Sequence, residues 1–165
     1  MTNNVVMVTG AASGIGYSCV RNLLRDGVSV VAADCDNIPV ALLGAGDCLA
    51  QTFDVSSPNA CKFAVSEACD KFGELSALIH FAGIHHTKTW EEVDADDFAR
   101  VMAVNVTGSF LIAQAAAETM MERMCQLSSE ARRRRDGGQR VLEGDQEALA
   151  HNHLQPRMHT RVRVL

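Results

Sequence analysis

Apolar residues fall along the first 124 positions in two alternating periods. Val5-Val6-Met7-Val8 is an unbroken apolar run ending in Thr9-Gly10, the pattern of a strand buried on both faces. From Ile15 to Leu24 the spacing changes: Ile15, Cys19, Val20, Leu23 and Leu24 recur at helical intervals, and Gly27 ends the segment. Val28–Ala33 reads as a second strand and Leu49–Phe53 as a weaker third. Ser57 followed by Pro58 predicts an N-cap and the first turn of a helix running to Phe72, closed by Gly73. Leu75–Phe81 predicts a fourth strand, and Asp94 opens a long helix towards Met121 with Phe98, Val101, Met102, Val106 and Leu111 turned inward. Strands alternating with helices predict an open parallel α/β sheet of about four strands, covered on both faces.

Charge divides the chain where this pattern stops. Residues 1–124 carry 7 Lys+Arg against 15 Asp+Glu, whereas residues 125–165 carry 8 against 5, and all eight are Arg. The first part, residues 1–124, is expected to be the folded region. The second, with Arg132-Arg133-Arg134-Arg135 and little helical or alternating pattern, is expected to be a poorly packed tail. A net charge of −5 gives nucleic acid little reason to bind. No uninterrupted apolar stretch approaches the roughly 18–20 residues of a membrane span. With no basic leader at Met1-Thr2-Asn3-Asn4, the expectation is a cytoplasmic protein without a membrane partner. The six cysteines form no C-x-x-C pair and read as small buried thiols, without a metal site.

The candidate chemistry lies between the first strand and the first helix. In Thr9-Gly10-Ala11-Ala12-Ser13-Gly14-Ile15-Gly16, Gly10 permits a tight turn, Gly14 lets backbone approach a pyrophosphate, and Gly16 lets helix and strand pack closely. The helix N-terminus offers unpaired N–H groups and partial positive charge to phosphates. Ser13 and Ile15 belong to the same loop. Asp34, 18 residues after Gly16, ends the second strand. A carboxylate there accepts bonds from ribose hydroxyls and repels a 2′-phosphate, favouring NAD over NADP. Its alternative role is a turn cap in Asp34-Cys35-Asp36-Asn37.

Together, Thr9-Gly-x-x-x-Gly-x-Gly16, Asp34, Asp54-Val55, Ala82-Gly83 and Asn105-Val106-Thr107-Gly108 resemble the classical short-chain dehydrogenase/reductase family over about the first 120 residues. The resemblance implies an open parallel-sheet, Rossmann-type dinucleotide-binding fold with residues 1–124 as its NAD-binding region. It implies that Asp54 and Val55 contact adenine and that Phe81, Ala82 and Gly83 lie along the cofactor. It implies that Asn105 holds a water in a catalytic proton relay. Where the family has two asparagines before Ala-Gly, this chain has His80 and Phe81. The side-chain bonds that tie neighbouring strands are therefore not all expected to persist. Nearby, His85 and His86 read as exposed loop residues, Trp90 as an anchor of the loop to the core, and Met120, Met121 and Met124 as packing.

The resemblance also implies a Ser after a fifth strand and a Tyr-x-x-x-Lys that moves a proton while hydride passes to or from the nicotinamide. Here the only tyrosine is Tyr17, no lysine follows Lys88, and no apolar strand precedes Ser128-Ser129. The expectation is an NAD-dependent oxidoreductase of secondary alcohols or ketones by descent, inactive in this chain. The alternative is a non-catalytic nucleotide-binding or interaction protein. Family tetramers form through helices including the one bearing Tyr and Lys, so a family-type homo-oligomer is not expected. Shifted by one nucleotide, the degenerate codons from Arg132 to Leu142 permit a glycine run followed by Thr-Val-Val-Asn-Val-Ser-Ser, similar to the family's fifth strand. The shifted codon of Leu154 permits Tyr, but no Lys can follow four codons later. The hypothesis that the tail is an out-of-frame reading is tested by resequencing through the arginine codons; an intact in-frame gene removes it.

Overall fold

In the computed structural model, which describes residues 4–142, four strands form one parallel sheet in the order β3-β2-β1-β4. The strands are β1 (Val5–Thr9), β2 (Ser29–Asp34), β3 (Cys48–Thr52) and β4 (Ala77–His80). The helices are α1 (Gly14–Arg25), α2 (Val40–Leu43), α3 (Pro58–Phe72), α4 (Ala95–Met102) and α5 (Ser109–Leu142), with a π-helical turn, Ala103–Gly108, between the last two. The strand order reverses beside β1, so the C-terminal ends of β1 and β4 flank a topological switch point, where open α/β sheets bind ligands.

The pleat explains the two cores. Val5, Met7 and Val31 pack on one face against Cys61, Ala64, Val65 and Ala68 of α3 and Ile112, Ala115 and Ala116 of α5. Val6, Val8, Val30 and Ala32 point the other way, against Val20 and Leu24 of α1 and Leu42 of α2. Every residue of β1 is buried, and all of β2 but Asp34, which is why both read as continuous apolar runs. The outer strands β3 and β4 mix buried and partly buried positions. Ser57 caps α3 as predicted, its hydroxyl accepting from Ala60 N at 3.4 Å, and Gly73 closes the helix at φ 86°.

Three predicted faces are corrected. Ile15 is 72 % exposed, because the start of α1 opens on a cavity instead of the core. Phe98, Met102 and Val106 are exposed, while Gly108, Ile112, Ala115 and Ala116 are buried. The π turn inserts a residue into the helical repeat and rotates the inward face away from the one a steady 3.6 period predicts. Met120 packs against the core, whereas Met121 and Met124 are exposed. The cysteines differ as well: only Cys61 is buried, its thiol pushed up to about 11 by burial and by the nearby Asp54 charge, whereas Cys35 and Cys125 are exposed.

Residues 125–142 are helical. Their Arg, Glu, Gln and Ala content favours helix without any apolar stripe, and every residue described from Met124 to Arg133 is exposed. By length and composition, the helical run Ala95–Arg133 meets the requirement for a membrane span, which the search for an uninterrupted stretch did not show. Within it, Ile112, Ala115 and Ala116 are buried against the sheet, as in the core helix of a globular fold. The predicted tail beyond residue 142 lies outside the described residues.

Candidate active site

A cavity of about 390 Å³ opens at the C-terminal ends of the strands. Its lining includes Gly10, Ser13, Gly14, Ile15 and Gly16 from the first loop, Asp34 from β2, Asp54 and Val55 after β3, and Phe81, Ala82 and Gly83 after β4. The structure thus brings all of these predicted positions together around one space.

The glycines hold the loop in a shape no side chain allows. Gly10 sits at φ 71°, and a Cβ there would lie 2.6 Å from the Phe81 carbonyl carbon. A Cβ on Gly16 would lie 2.0 Å from the Gly10 oxygen, so α1 crosses the loop in direct backbone contact. Gly14, at φ 54°, faces open space with nothing within 4 Å. Ser13 is the N-cap of α1, yet its side chain makes no capping bond, and the first turn holds no acid. By contrast α4 begins with a full capping box between Asp94 and Asp97. The N–H groups at the start of α1 are left for something other than the protein's own side chains. An anion-bearing dinucleotide fits this cradle.

Asp34 closes the loop from the side. Its Oδ2 accepts from Ala12 N at 2.8 Å and its Oδ1 from Asp36 N at 3.1 Å. The turn-capping alternative is therefore real, and it coexists with the cavity position, because a carboxylate has about four acceptor sites and these bonds use two. Asp34, Cys35 and Asp36 converge within 4.8 Å as neighbours on this turn. Asp54 Oδ1 accepts from both Ser56 N and Ser56 Oγ at 2.8 Å, shaping the turn that presents Val55. Val55 is buried, and a Cβ on Gly108 would lie 2.8 Å from its Cγ2, which brings the π turn against the Val55 wall of the cavity.

Asn105 lies behind this wall. Its Oδ1 accepts from Ile84 N and its Nδ2 donates to Ile84 O, both at 2.8 Å, so the side chain holds the backbone of a cavity-lining residue. One side-chain bond between neighbouring strands is made at His80. Its Nδ1 lies 2.6 Å from Thr9 Oγ1 on β1, and its Nε2 lies 2.9 Å from Ser109 Oγ. An imidazole, longer than the asparagine it stands in for, spans both neighbours. His86 Nε2 lies 2.8 Å from Asp97 O, so it is docked on α4 and not simply exposed. Lys88 pairs with the Asp97 carboxylate, an ion pair that raises the lysine and lowers the acid from their ordinary values. Trp90 is 83 % exposed and anchors nothing; the bonds of His86 and Lys88 fasten this loop instead.

The pattern did not point to Phe53, Cys35, Asp36, Ile84, Arg100 or Val104, which also line the cavity. Arg100 and Val104 sit four residues apart on consecutive helical turns, but nothing in their spacing distinguishes a cavity wall from an ordinary helix face.

Comparison with known proteins bears on this geometry. The family described as short chain dehydrogenase matches residues 4–127. The chain belongs to that family. Its members are oxidoreductases that bind nicotinamide cofactors. Among similar proteins, 2-(S)-hydroxypropyl-CoM dehydrogenase 3 of Xanthobacter autotrophicus is 35 % identical over 129 residues, covering 74 % of this chain and 51 % of that protein. Meso-2,3-butanediol dehydrogenase of Serratia marcescens is 33 % identical over 110 residues, covering 64 % and 44 %. A solved double mutant of a Serratia marcescens short-chain dehydrogenase/reductase superimposes with a TM-score of 0.62 at 32 % identity, covering 72 % of this chain and 52 % of that one. The chain spans about half the length of the curated relatives it matches.

Proposed function

We propose that this chain is the cofactor-binding half of an NAD-dependent dehydrogenase of secondary alcohols or ketones, and that by itself it binds NAD without turning a substrate over. The observation that carries the reading is Asp34. It is bonded to the glycine loop through Ala12 N and lines the same cavity as Gly10 and Gly14. One acid fixes the phosphate cradle and faces the place where a ribose joined to those phosphates would lie. Its negative charge disfavours a 2′-phosphate.

In this reading the free amides at the start of α1 hold the pyrophosphate, Asp34 the adenosine ribose, and Asp54 and Val55 the adenine. Phe81, Ala82 and Gly83 lie along the remainder. The nicotinamide, when bound, supplies the hydride chemistry. Asn105 keeps the wall in place through Ile84. The proton that must move with the hydride has no prepared partner: Tyr17, the only tyrosine, lies in α1 packed towards the core, and no lysine follows Lys88. A small alcohol or carbonyl compound is the substrate class of the complete reaction.

The test is calorimetric titration of the purified chain with NAD and NADP, beside Asp34→Ala. The expected result is tighter binding of NAD, lost discrimination in the variant, and no turnover on a panel of secondary alcohols. No heat with either cofactor overturns the binding reading; equal affinity overturns the preference; measurable turnover overturns the inactivity.

A further inference from the structure

The hydrogen-bond chain through His80 permits an assignment that the glycine loop does not. Ser109 Oγ has one proton and lies 2.6 Å from the Asn105 carbonyl oxygen, which can only accept. The hydroxyl therefore donates to Asn105 and accepts from its other neighbour, so Nε2 of His80, 2.9 Å away, carries a hydrogen. A neutral ring then has an unprotonated Nδ1, which accepts from Thr9 Oγ1 at 2.6 Å. Thr9 is fully buried, and among the described residues its hydroxyl has no other partner. The direction of every proton follows: Thr9 to His80, His80 to Ser109, Ser109 to Asn105.

We propose that His80 is a positioning residue of the cavity: as the neutral Nε2–H tautomer it clamps the end of β1 to Ser109, and through Ser109 it holds Asn105 and the Ile84 backbone in the cavity wall. Thr9 immediately precedes the glycine loop, so the clamp joins both sides of the cavity through residues 71 positions apart in sequence. Adding a proton to Nδ1 sets two donors facing each other across 2.6 Å, with no second acceptor for the Thr9 hydrogen. Burial alone displaces the titration of His80 downward; no charged group of β1, β4, the π turn or α5 contributes to it. The groups facing the ring are the Thr9 and Ser109 hydroxyls.

Nitrogen-15 NMR of the full chain labelled at histidine tests the assignment on the parent protein, with a variant used only to identify the signal. The expected spectrum shows His80, identified by its loss in His80→Gln, with a protonated Nε2, a bare Nδ1, and no titration near the ordinary value for histidine. An Nδ1–H tautomer, or titration at the ordinary value, overturns it. Positioning is read from exchange of the Ile84 amide, which Asn105 Oδ1 accepts. Ser109→Ala, a small change on a helix, should speed that exchange about tenfold, the change expected for one lost net hydrogen bond. His80→Gln, whose Nε2 can take over the donor role, should restore most of the protection that His80→Leu removes. Unchanged Ile84 exchange in Ser109→Ala overturns the clamp. Only a last arm, weaker NAD binding by Ser109→Ala, rests on the cavity being a dinucleotide site. If neither the parent nor the variant binds NAD while Ile84 exchange responds, the clamp stands and the cofactor reading fails.

Discussion

The two walls of the cavity are held by different means. On the β1–α1 side the shape is made of backbone: Gly10 and Gly16 bring main-chain atoms together at distances that exclude any Cβ, and α1 carries no side-chain cap. On the β4–π-turn side it is made of side chains: His80 bridges Thr9 and Ser109, and Asn105 grips Ile84. A backbone wall has no substitute for its glycines. A side-chain wall can exchange one polar group for another, provided the new one reaches both partners, as His80 does.

The sharpest way to break this contrast is Gly16→Ala. The new Cβ would sit 2.0 Å from the Gly10 oxygen and 2.7 Å from its carbonyl carbon, both backbone atoms. The helix or the loop must move. The expected loss is about 3 kcal/mol, the upper end for overpacking, read from the urea midpoint at unchanged slope. A variant as stable as the parent would show that the wall yields more readily than its contacts imply.

Next in size is Asp34→Ala, at a side chain that supports the backbone wall. It removes a charge-assisted bond to Ala12 N and another to Asp36 N. Bonds to charged groups contribute about 1.5–3 kcal/mol, so NAD affinity should fall about tenfold or more in calorimetry. Asp34→Asn separates two contributions: it keeps an acceptor for Ala12 N but removes the charge that opposes a 2′-phosphate. Retained preference for NAD in that variant would assign Asp34 to the loop alone.

Asn105→Ala should cost less, about 1 kcal/mol, because both bonds to Ile84 lie at an exposed residue where water replaces them. Faster hydrogen exchange at Ile84, with α1 unchanged, is the expected signature. Spread of the effect into the glycine loop would mean that the walls are not separable.

The same division decides what could be read before the structure. The backbone wall was legible because glycine positions, a preceding apolar run and a following helical period are all local. The full burial of β1 and near-full burial of β2 follow from their unbroken apolar runs. The side-chain wall was not legible. Thr9 and His80 meet across the sheet through the register of β1 with β4, and residue type alone suggested a lost contact, not a replaced one. The π turn left no mark in the hydrophobic pattern, so extending a 3.6 period through it sent Phe98 and Val106 inward. Trp90 was misplaced for a related reason: size and apolarity suggested an anchor, but His86 and Lys88 already fasten that loop.

The smallest effect to be measured is the pH dependence of stability between the ordinary histidine value and mild acid. Burial holds folded His80 below its ordinary 6.5. As pH falls through 6.5 the unfolded chain takes up this proton first, while the folded chain does not. Stability is therefore full above about 6.5, declines as pH drops towards the lowered folded value, and levels off beneath it. Asp97 acts in a separate window: Lys88 holds its carboxyl below the ordinary 3.8, so its contribution is present above that value and fades only in stronger acid. Urea unfolding of the parent and His80→Gln at several pH values isolates the clamp. The parent should lose stability as pH falls below about 6.5 relative to the variant, and parallel curves would mean that His80 takes up its proton as readily folded as unfolded.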